Sequence, residues 1–174
     1  YAEGEIAYSF SYFYDLLDFD VNGLRISTKL FDEKALNSRK EVIAAAEDVL
    51  KKMPEGLSDL EKARYFYQYL TREVEYYFYD EEEEISDYLH DAFYLKRTQC
   101  DGFANAFSLL CAMEKIPCFE KIYDAKSEEE VGHTWNTFYA DGKWYNADCA
   151  VSGEVAENQK RLGMDFYFGF SDER

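Results

Sequence analysis

The chain is short of the residues that break or staple a fold. Its 174 residues include only 9 Gly and 2 Pro, too few for a linker-rich or low-complexity polymer. Cysteine is scarce as well. Cys100, Cys111, Cys118 and Cys149 show no paired metal-ligand spacing and are too few for a disulfide framework, so the redox compartment stays open. No apolar run approaches the roughly 18 residues of a membrane span, and no stretch has the pattern of a secretory leader. The chain opens on Tyr1 rather than Met, which raises the expectation of a removed leader or upstream domain; an extracytoplasmic parent, secreted or on a bacterial surface, is a separate expectation.

Basic residues are also few. Against 36 Asp and Glu stand 19 Lys and Arg, for a formal charge of -17. Nucleic acid and anionic membrane would be repelled at long range and are excluded as partners. Much of the excess lies in Asp80-Glu81-Glu82-Glu83-Glu84 and Glu128-Glu129-Glu130. Neither run spaces its oxygens as a calcium loop does, and both read as solvated loops.

What remains is apolar and aromatic. Hydrophobic residues make up 47% and aromatics 18%, the composition of a packed globule. A chain of this length buries roughly 70% of its unfolded surface as one domain, without staples.

Periodicity orders the elements. Residues 5–14 and 24–30 have strand-like composition. Ser38-Arg39-Lys40-Glu41 has the form of a capping box, and Val42, Ala45, Ala46, Val49, Leu50 and Met53 follow at helical spacing until Pro54-Glu55-Gly56. A second box, Ser58 to Glu61, opens a helix whose buried stripe is expected to be Ala63, Phe66, Tyr67, Leu70 and Val74. The tyrosines 76, 77 and 79 follow. Residues 86–96 are predicted to hold a short helix with Leu89, Ala92 and Phe93 on one face. Thr98 is placed to cap the next helix, which puts Cys100 in its first turn and Asp101 at its third position, with Phe103, Phe107, Leu110 and Cys111 continuing to about residue 115. Residues 117–123 read as a strand, 151–163 as a polar stretch with a helix, and 164–170 as a closing strand.

Two strand-like runs, 132–140 and 143–149, flank Asp141-Gly142. That dipeptide is a strong signal for a two-residue type I′ turn, which needs positive φ at both positions. With Ala140 opposite Lys143, opposed residues sum to 283, so Trp135 faces Asp148 and Tyr139 faces Trp144. His133 then stands on the same face as Asp148, diagonally across the ladder, within reach of a carboxylate–imidazole contact. A slip of one residue would send the two to opposite faces.

Cys100, His133 and Asp148 are the candidate catalytic residues. Alone, each has an ordinary structural reading: a packing cysteine, a satisfied histidine, a strand-end carboxylate. Together they supply the thiol, imidazole and carboxylate of activated-thiol acyl transfer. The first turn of a helix adds free N–H groups and the positive end of the dipole, which favour thiolate and can hold an oxyanion. His90 has no comparable context.

These residues bring a family into view. Cys100-Asp101-Gly102-Phe103-Ala104 with Ala106-Phe107, His133-Thr134-Trp135-Asn136, and Gly142-Lys143-Trp144-Tyr145-Asn146-Ala147-Asp148 resemble the motifs of the transglutaminase-like superfamily, which is related in architecture to papain-like cysteine proteases. Glu61-Lys62-Ala63 with Val74-Glu75-Tyr76 resembles the helix before that family's core, and Phe166-Tyr167-Phe168 the strand after it. The resemblance covers residues 58–172 and leaves 1–57 as an N-terminal elaboration. Departures are Thr98 for a usual glycine, Glu114-Lys115 before Ile116-Pro117, and Cys149-Ala150 after Asp148.

The resemblance implies an α+β fold with a transglutaminase-like or papain-like core, its nucleophile helix packed on an antiparallel sheet. It implies a cofactor-free, metal-free enzyme acting on a peptide or protein through a thioester. Cys100 would attack, His133 carry the proton and Asp148 orient the imidazole. Oxyanion donors would be the Cys100 N–H and an upstream side chain, Tyr76 first and Gln99 second. Trp135 and Trp144 would line a crevice for extended peptide. Hydrolysis is the first expectation. Amine-accepting cross-linking and a non-catalytic peptide- or glycan-binding module are the alternatives, the latter weakened by the intact trio. A thiol metal or redox site lacks a CxxC pair.

Overall fold

A computed structural model describes residues 17–20, 23–26, 33–79, 88–123, 132–151 and 153–170. The expected strand over 5–14 and both acidic runs lie outside these residues. In chain order the described elements are β1 (Leu17–Asp20), β2 (Gly23–Ile26), α1 (Glu33–Lys51), α2 (Asp59–Glu73), β3 (Glu75–Tyr76), α3 (Tyr88–Tyr94), β4 (Arg97–Thr98), α4 (Cys100–Met113), β5 (Cys118–Tyr123), β6 (His133–Ala140), β7 (Lys143–Ala147), α5 (Gly153–Leu162) and β8 (Phe168–Phe170). The architecture is α+β. β5-β6-β7-β8 form one antiparallel sheet, and α4 lies against β5 and β6 with α1, α2 and α3 around it.

The second capping box forms as expected. The Ser58 N–H donates to Glu61 Oε2 at 2.8 Å and the Glu61 N–H to Ser58 Oγ at 3.3 Å, which satisfies two of the orphan donors at the start of α2. The stripe below it, Ala63, Phe66, Tyr67, Leu70 and Val74, is buried. The first box does not start its helix. α1 begins at Glu33, because Glu33-Lys34-Ala35-Leu36 are good helix formers and carry the helix upstream of Ser38.

The helix that carries Cys100 also begins differently. Its N-cap is Gln99, Cys100 is its first residue and Asp101 its second. Thr98 belongs to β4 instead, and its hydroxyl donates to the Tyr88 carbonyl at 3.0 Å. β4 pairs in parallel with β3, a pairing that two-residue strands give no periodic sign of. Phe103, Phe107, Leu110 and Cys111 then face the core. Phe107 meets Phe138 of β6 edge to face at 5.7 Å, and Phe138 stacks on Tyr145 and Phe168. Each such buried ring contributes about 2 kcal/mol.

The β6–β7 hairpin has the derived register: Ala140 pairs with Lys143, Tyr139 with Trp144 and Asn136 with Ala147. Its turn has φ of 49° at Asp141 and 80° at Gly142, the mirror-image conformation that aspartate tolerates and glycine adopts freely. The ladder ends at Ala147. The Asp148 N–H crosses instead to the Tyr167 carbonyl at 3.0 Å. The closing strand is shorter than expected, beginning at Phe168.

Gly102 is held to glycine by space rather than by dihedral angle. A Cβ there would lie 1.9 Å from Thr98 Oγ1 and 2.7 Å from the Tyr88 carbonyl oxygen. Overpacking of this kind costs about 3 kcal/mol, offset by ~1 kcal/mol of helix propensity in a Gly→Ala change. Gly102→Ala is therefore expected to lower Tm by roughly 4–8 °C in a thermal melt. A rise in Tm, as at an ordinary helical glycine, would show that the close approach of α3, β4 and α4 is not what holds this position.

Candidate active site

Three elements deliver the groups at the site. α4 presents Cys100 at its first position, where the backbone N–H has no intrahelical partner. β6 presents His133 at its start, and Asp148 leaves the end of β7 beside it. The predicted pair is present: His133 Nε2 and Asp148 Oδ2 are 2.7 Å apart. A carboxylate only accepts, so the bond places a proton on Nε2 and leaves Nδ1 for another partner. Asp148 uses its second oxygen too, for Oδ1 accepts from the Ala150 N–H at 3.0 Å.

The Cys100 side chain also acts on the imidazole, whose pKa is raised to about 10. The largest cause is the Asp148 bond, followed by Cys100, with burial opposing both. Histidine ordinarily titrates near 6.5, so the ring is a cation across the neutral range. Trp135 backs it, with ring centroids 5.9 Å apart and planes within 20°, an arrangement that favours a cation over the indole face.

Tyr76 lies on the other side of the thiol. Its ring stacks on Phe103 at 6.2 Å and meets Phe78 edge to face at 5.0 Å, and Cys100 is among the groups that act on its hydroxyl. Burial first, then the neighbouring Cys100, Asp148 and Asp101, hold that phenol above its usual pKa. It is a neutral donor at physiological pH.

Gln99 sits at the N-cap, and its side chain is hydrogen-bonded to the Tyr88 phenol. Burial first, then Asp101 and Cys100, raise the Tyr88 phenol, so it belongs to this neighbourhood although no local pattern singled it out. Trp144 stands farther along the outer face of the sheet, beside Phe119 and Tyr139. His90 stacks on Tyr94 at 4.6 Å and lies 3.8 Å from Glu41. Cys111 and Cys149 are buried, and burial pushes their thiols well up.

The support for Asp148 could not be read from the sequence. Tyr167, whose carbonyl holds the Asp148 backbone, donates its own N–H to Tyr67 Oη at 3.2 Å, and that hydroxyl donates to Gln159 Oε1 at 2.6 Å. Below it Asp165 accepts from Arg64 at 3.1 Å and Gln68 at 2.9 Å. These partners lie about a hundred positions apart in the chain and share no motif.

Comparison with known proteins agrees with the geometry. The sequence profile of the Transglutaminase-like superfamily matches residues 44–149. The kyphoscoliosis peptidases of mouse and human are 26% and 24% identical to the chain over 131 residues. Each alignment takes in 67% of this chain and 20% of the relative, so the chain spans about a fifth of the length of those relatives. A crystal structure of a TGase superposes with a TM-score of 0.51 at 17% identity, over 84% of this chain and 40% of the other, which is a likeness of fold. With more than half of its length matched by the profile, and with a helix-borne cysteine meeting a histidine–aspartate pair on the sheet, the chain belongs to the transglutaminase-like superfamily.

Proposed function

We propose that the protein is a cysteine-dependent acyl-transfer enzyme acting on a peptide or glutamine-type carbonyl, with water as its acceptor. One observation carries the reading: a single imidazole bonded to the Asp148 carboxylate, with Cys100 acting on the same ring from the N-terminus of a 14-residue helix.

In this mechanism the Cys100 sulfur, its proton held by His133, attacks the carbonyl carbon. The oxyanion is met by the Cys100 N–H and the Tyr76 hydroxyl. The C–N bond breaks as His133 gives its proton to the leaving amine, which leaves a thioester. His133 then takes a proton from water, whose oxygen attacks the thioester, and the sulfur departs. Asp148 stabilises the imidazolium. Gln99, bonded to Tyr88, is the second choice as oxyanion donor, and Trp135 both backs the imidazole and offers an aromatic wall to the substrate. Among the described residues no helix is long and apolar enough to cross a membrane.

Two measurements test this reading. The first is iodoacetamide alkylation mapped by mass spectrometry across all four cysteines. Cys100 is expected to react fastest, and His133→Ala to slow it about tenfold or more, the low end of general-base effects. Equal rates at Cys100 in both proteins would defeat the nucleophile assignment and favour a non-catalytic binding module.

The second is an NMR titration of the His133 ring. In the wild type the midpoint is expected near 10, and in Asp148→Asn, which removes the largest cause, it should fall toward the ordinary 6.5. The sign for stability follows. A histidine whose folded pKa is raised contributes stability that is complete below 6.5 and is lost as pH rises through about 10. Because the His133 side chain is 37% exposed, solvent screening reduces that contribution to ~1 kcal/mol. The Tm gap between wild type and Asp148→Asn should therefore be widest below pH 6.5 and close above about pH 10. A gap that does not change with pH would contradict the ion pair.

A further inference from the structure

One polar atom among the described buried side chains has no partner: Asn136 Oδ1. Asn136 is 1% exposed, and its amide orientation is fixed. Nδ2 donates to the Ala104 carbonyl at 3.1 Å and to Ser108 Oγ at 2.9 Å. Since the Ala104 carbonyl only accepts, a flipped amide would set two acceptors against each other. Oδ1 must therefore point elsewhere, and an acceptor left bare in a core is costly.

The residue directly across the ladder from Asn136 is Glu120. It is 8% exposed, so it shares the buried face that meets α4. Ser108, whose oxygen receives the Asn136 amide and lies 3.7 Å from Cys118 Sγ, also acts on the Glu120 carboxyl. One hydroxyl thus acts on both side chains and brings the carboxyl up to the amide. A carboxylate there would turn acceptors toward an acceptor. A carboxylic acid has one O–H to give, and Asn136 Oδ1 is the atom that lacks one.

We infer that Glu120 is held as a neutral carboxylic acid that donates to Asn136 Oδ1, and that this bond makes it a positioning residue, bracing β6 against α4 one turn behind Cys100. The inference rests on the reading of Cys100 as nucleophile only for its effect on that thiol. With the proton in place the set is satisfied: Asn136 to Ala104 and Ser108, Ser108 to Glu120, Glu120 to Asn136. Without it a buried charge faces a bare carbonyl.

The surroundings favour the proton. From α4 the charged group facing Glu120 is the Asp101 carboxylate; from β6 it is Asn136, which carries no charge; along β5 its same-face neighbour is Cys118. Asp101 is the charged group that acts on the Glu120 carboxyl. Burial, the larger cause, and Asp101 together raise the Glu120 carboxyl to about 7 against the usual 4.5, although the Ser108 bond opposes them. A carboxyl raised in the folded state adds stability that is complete below 4.5 and is lost as pH rises through 7. The brace is therefore firm in acid and released in mild alkali.

The decisive variant is Glu120→Gln, which keeps an acceptor for Ser108 and a donor for Asn136 at every pH. Its melting temperature is expected to match the wild type near pH 5 and to exceed it by roughly 3–6 °C near pH 8.5. Across the same interval the ratio of Cys100 alkylation rates, variant over wild type, should rise from near one to about threefold, a division in which the thiol's own titration cancels. In the wild type the side-chain carboxyl carbon of Glu120 should titrate by 13C NMR near 7. A carboxylate already ionised at about pH 5, or a melting difference that does not change with pH, would overturn the bond. A flat alkylation ratio beside a changing melting difference would overturn the positioning role. If Glu120→Gln does not fold, the wild-type carbon titration decides alone. If Cys100 has no reactivity advantage in any variant, the nucleophile reading falls, while the carbon titration and the melting difference still judge the bond.

Discussion

The structure depends on how α4 is laid along β6. A helix repeats every 3.6 residues and a strand every two, so only a few positions of each can meet repeatedly. Here they are Asp101, Ala104, Phe107 and Ser108 against Thr134, Asn136 and Phe138. Thr134 Oγ1 donates to Asp101 Oδ1 at 2.6 Å, Asn136 reaches the Ala104 carbonyl and Ser108, and Phe138 meets Phe107. The cysteine is the residue before Asp101 and the histidine the residue before Thr134. Holding one pair of neighbours in contact therefore brings the other pair together, and the reactive groups need no element of their own.

The same seam separates two environments. On its buried side lie Asn136, Phe138 and Glu120, where a polar atom is either matched or penalised. On its open side His133 and Asp148 keep partial access to water, which tempers their mutual attraction and leaves room for a substrate. A strand that alternates between these sides can carry a polar brace and a charged pair three residues apart without either disturbing the other. Asp148 is steadied from a third direction, through Tyr167, Tyr67 and Gln159, so the carboxylate is oriented by the far edge of the sheet and not only by the ring it serves.

Much of this was legible in the sequence, and the reasons differ by element. The hairpin could be read because Asp141-Gly142 permits few alternatives and a two-residue turn determines every pairing after it. α2 could be read because Ser58 and Glu61 satisfy one another locally. Helix stripes such as Phe66, Tyr67 and Leu70 could be read from period alone. The parts that escaped are held by distant partners. Thr98 has the chemistry of a cap, yet its hydroxyl is taken by Tyr88 and the cap passes to Gln99. β3 and β4 are too short to show alternation. Ser38 looked like a beginning because its pattern is local, but the residues upstream were already helical. Glu120 stands between Phe119 and Lys121 and reads as an ordinary strand glutamate until its neighbour across the sheet is known.

The turn at Asp141-Gly142 also has a consequence for how this sequence can change length. A hairpin of two residues counts parity: one residue added or removed there would exchange the faces of β7. Asp148 would swing from the imidazole into the core as Ala147 swung out of it. A pair of added residues would restore parity yet displace the carboxylate along the strand by about 7 Å, the rise of two residues. Substitutions in the turn therefore bear on the backbone conformation, while insertions and deletions bear on the identity of the site itself. Drift in length is barred at the point of this chain that looks most like an exposed loop.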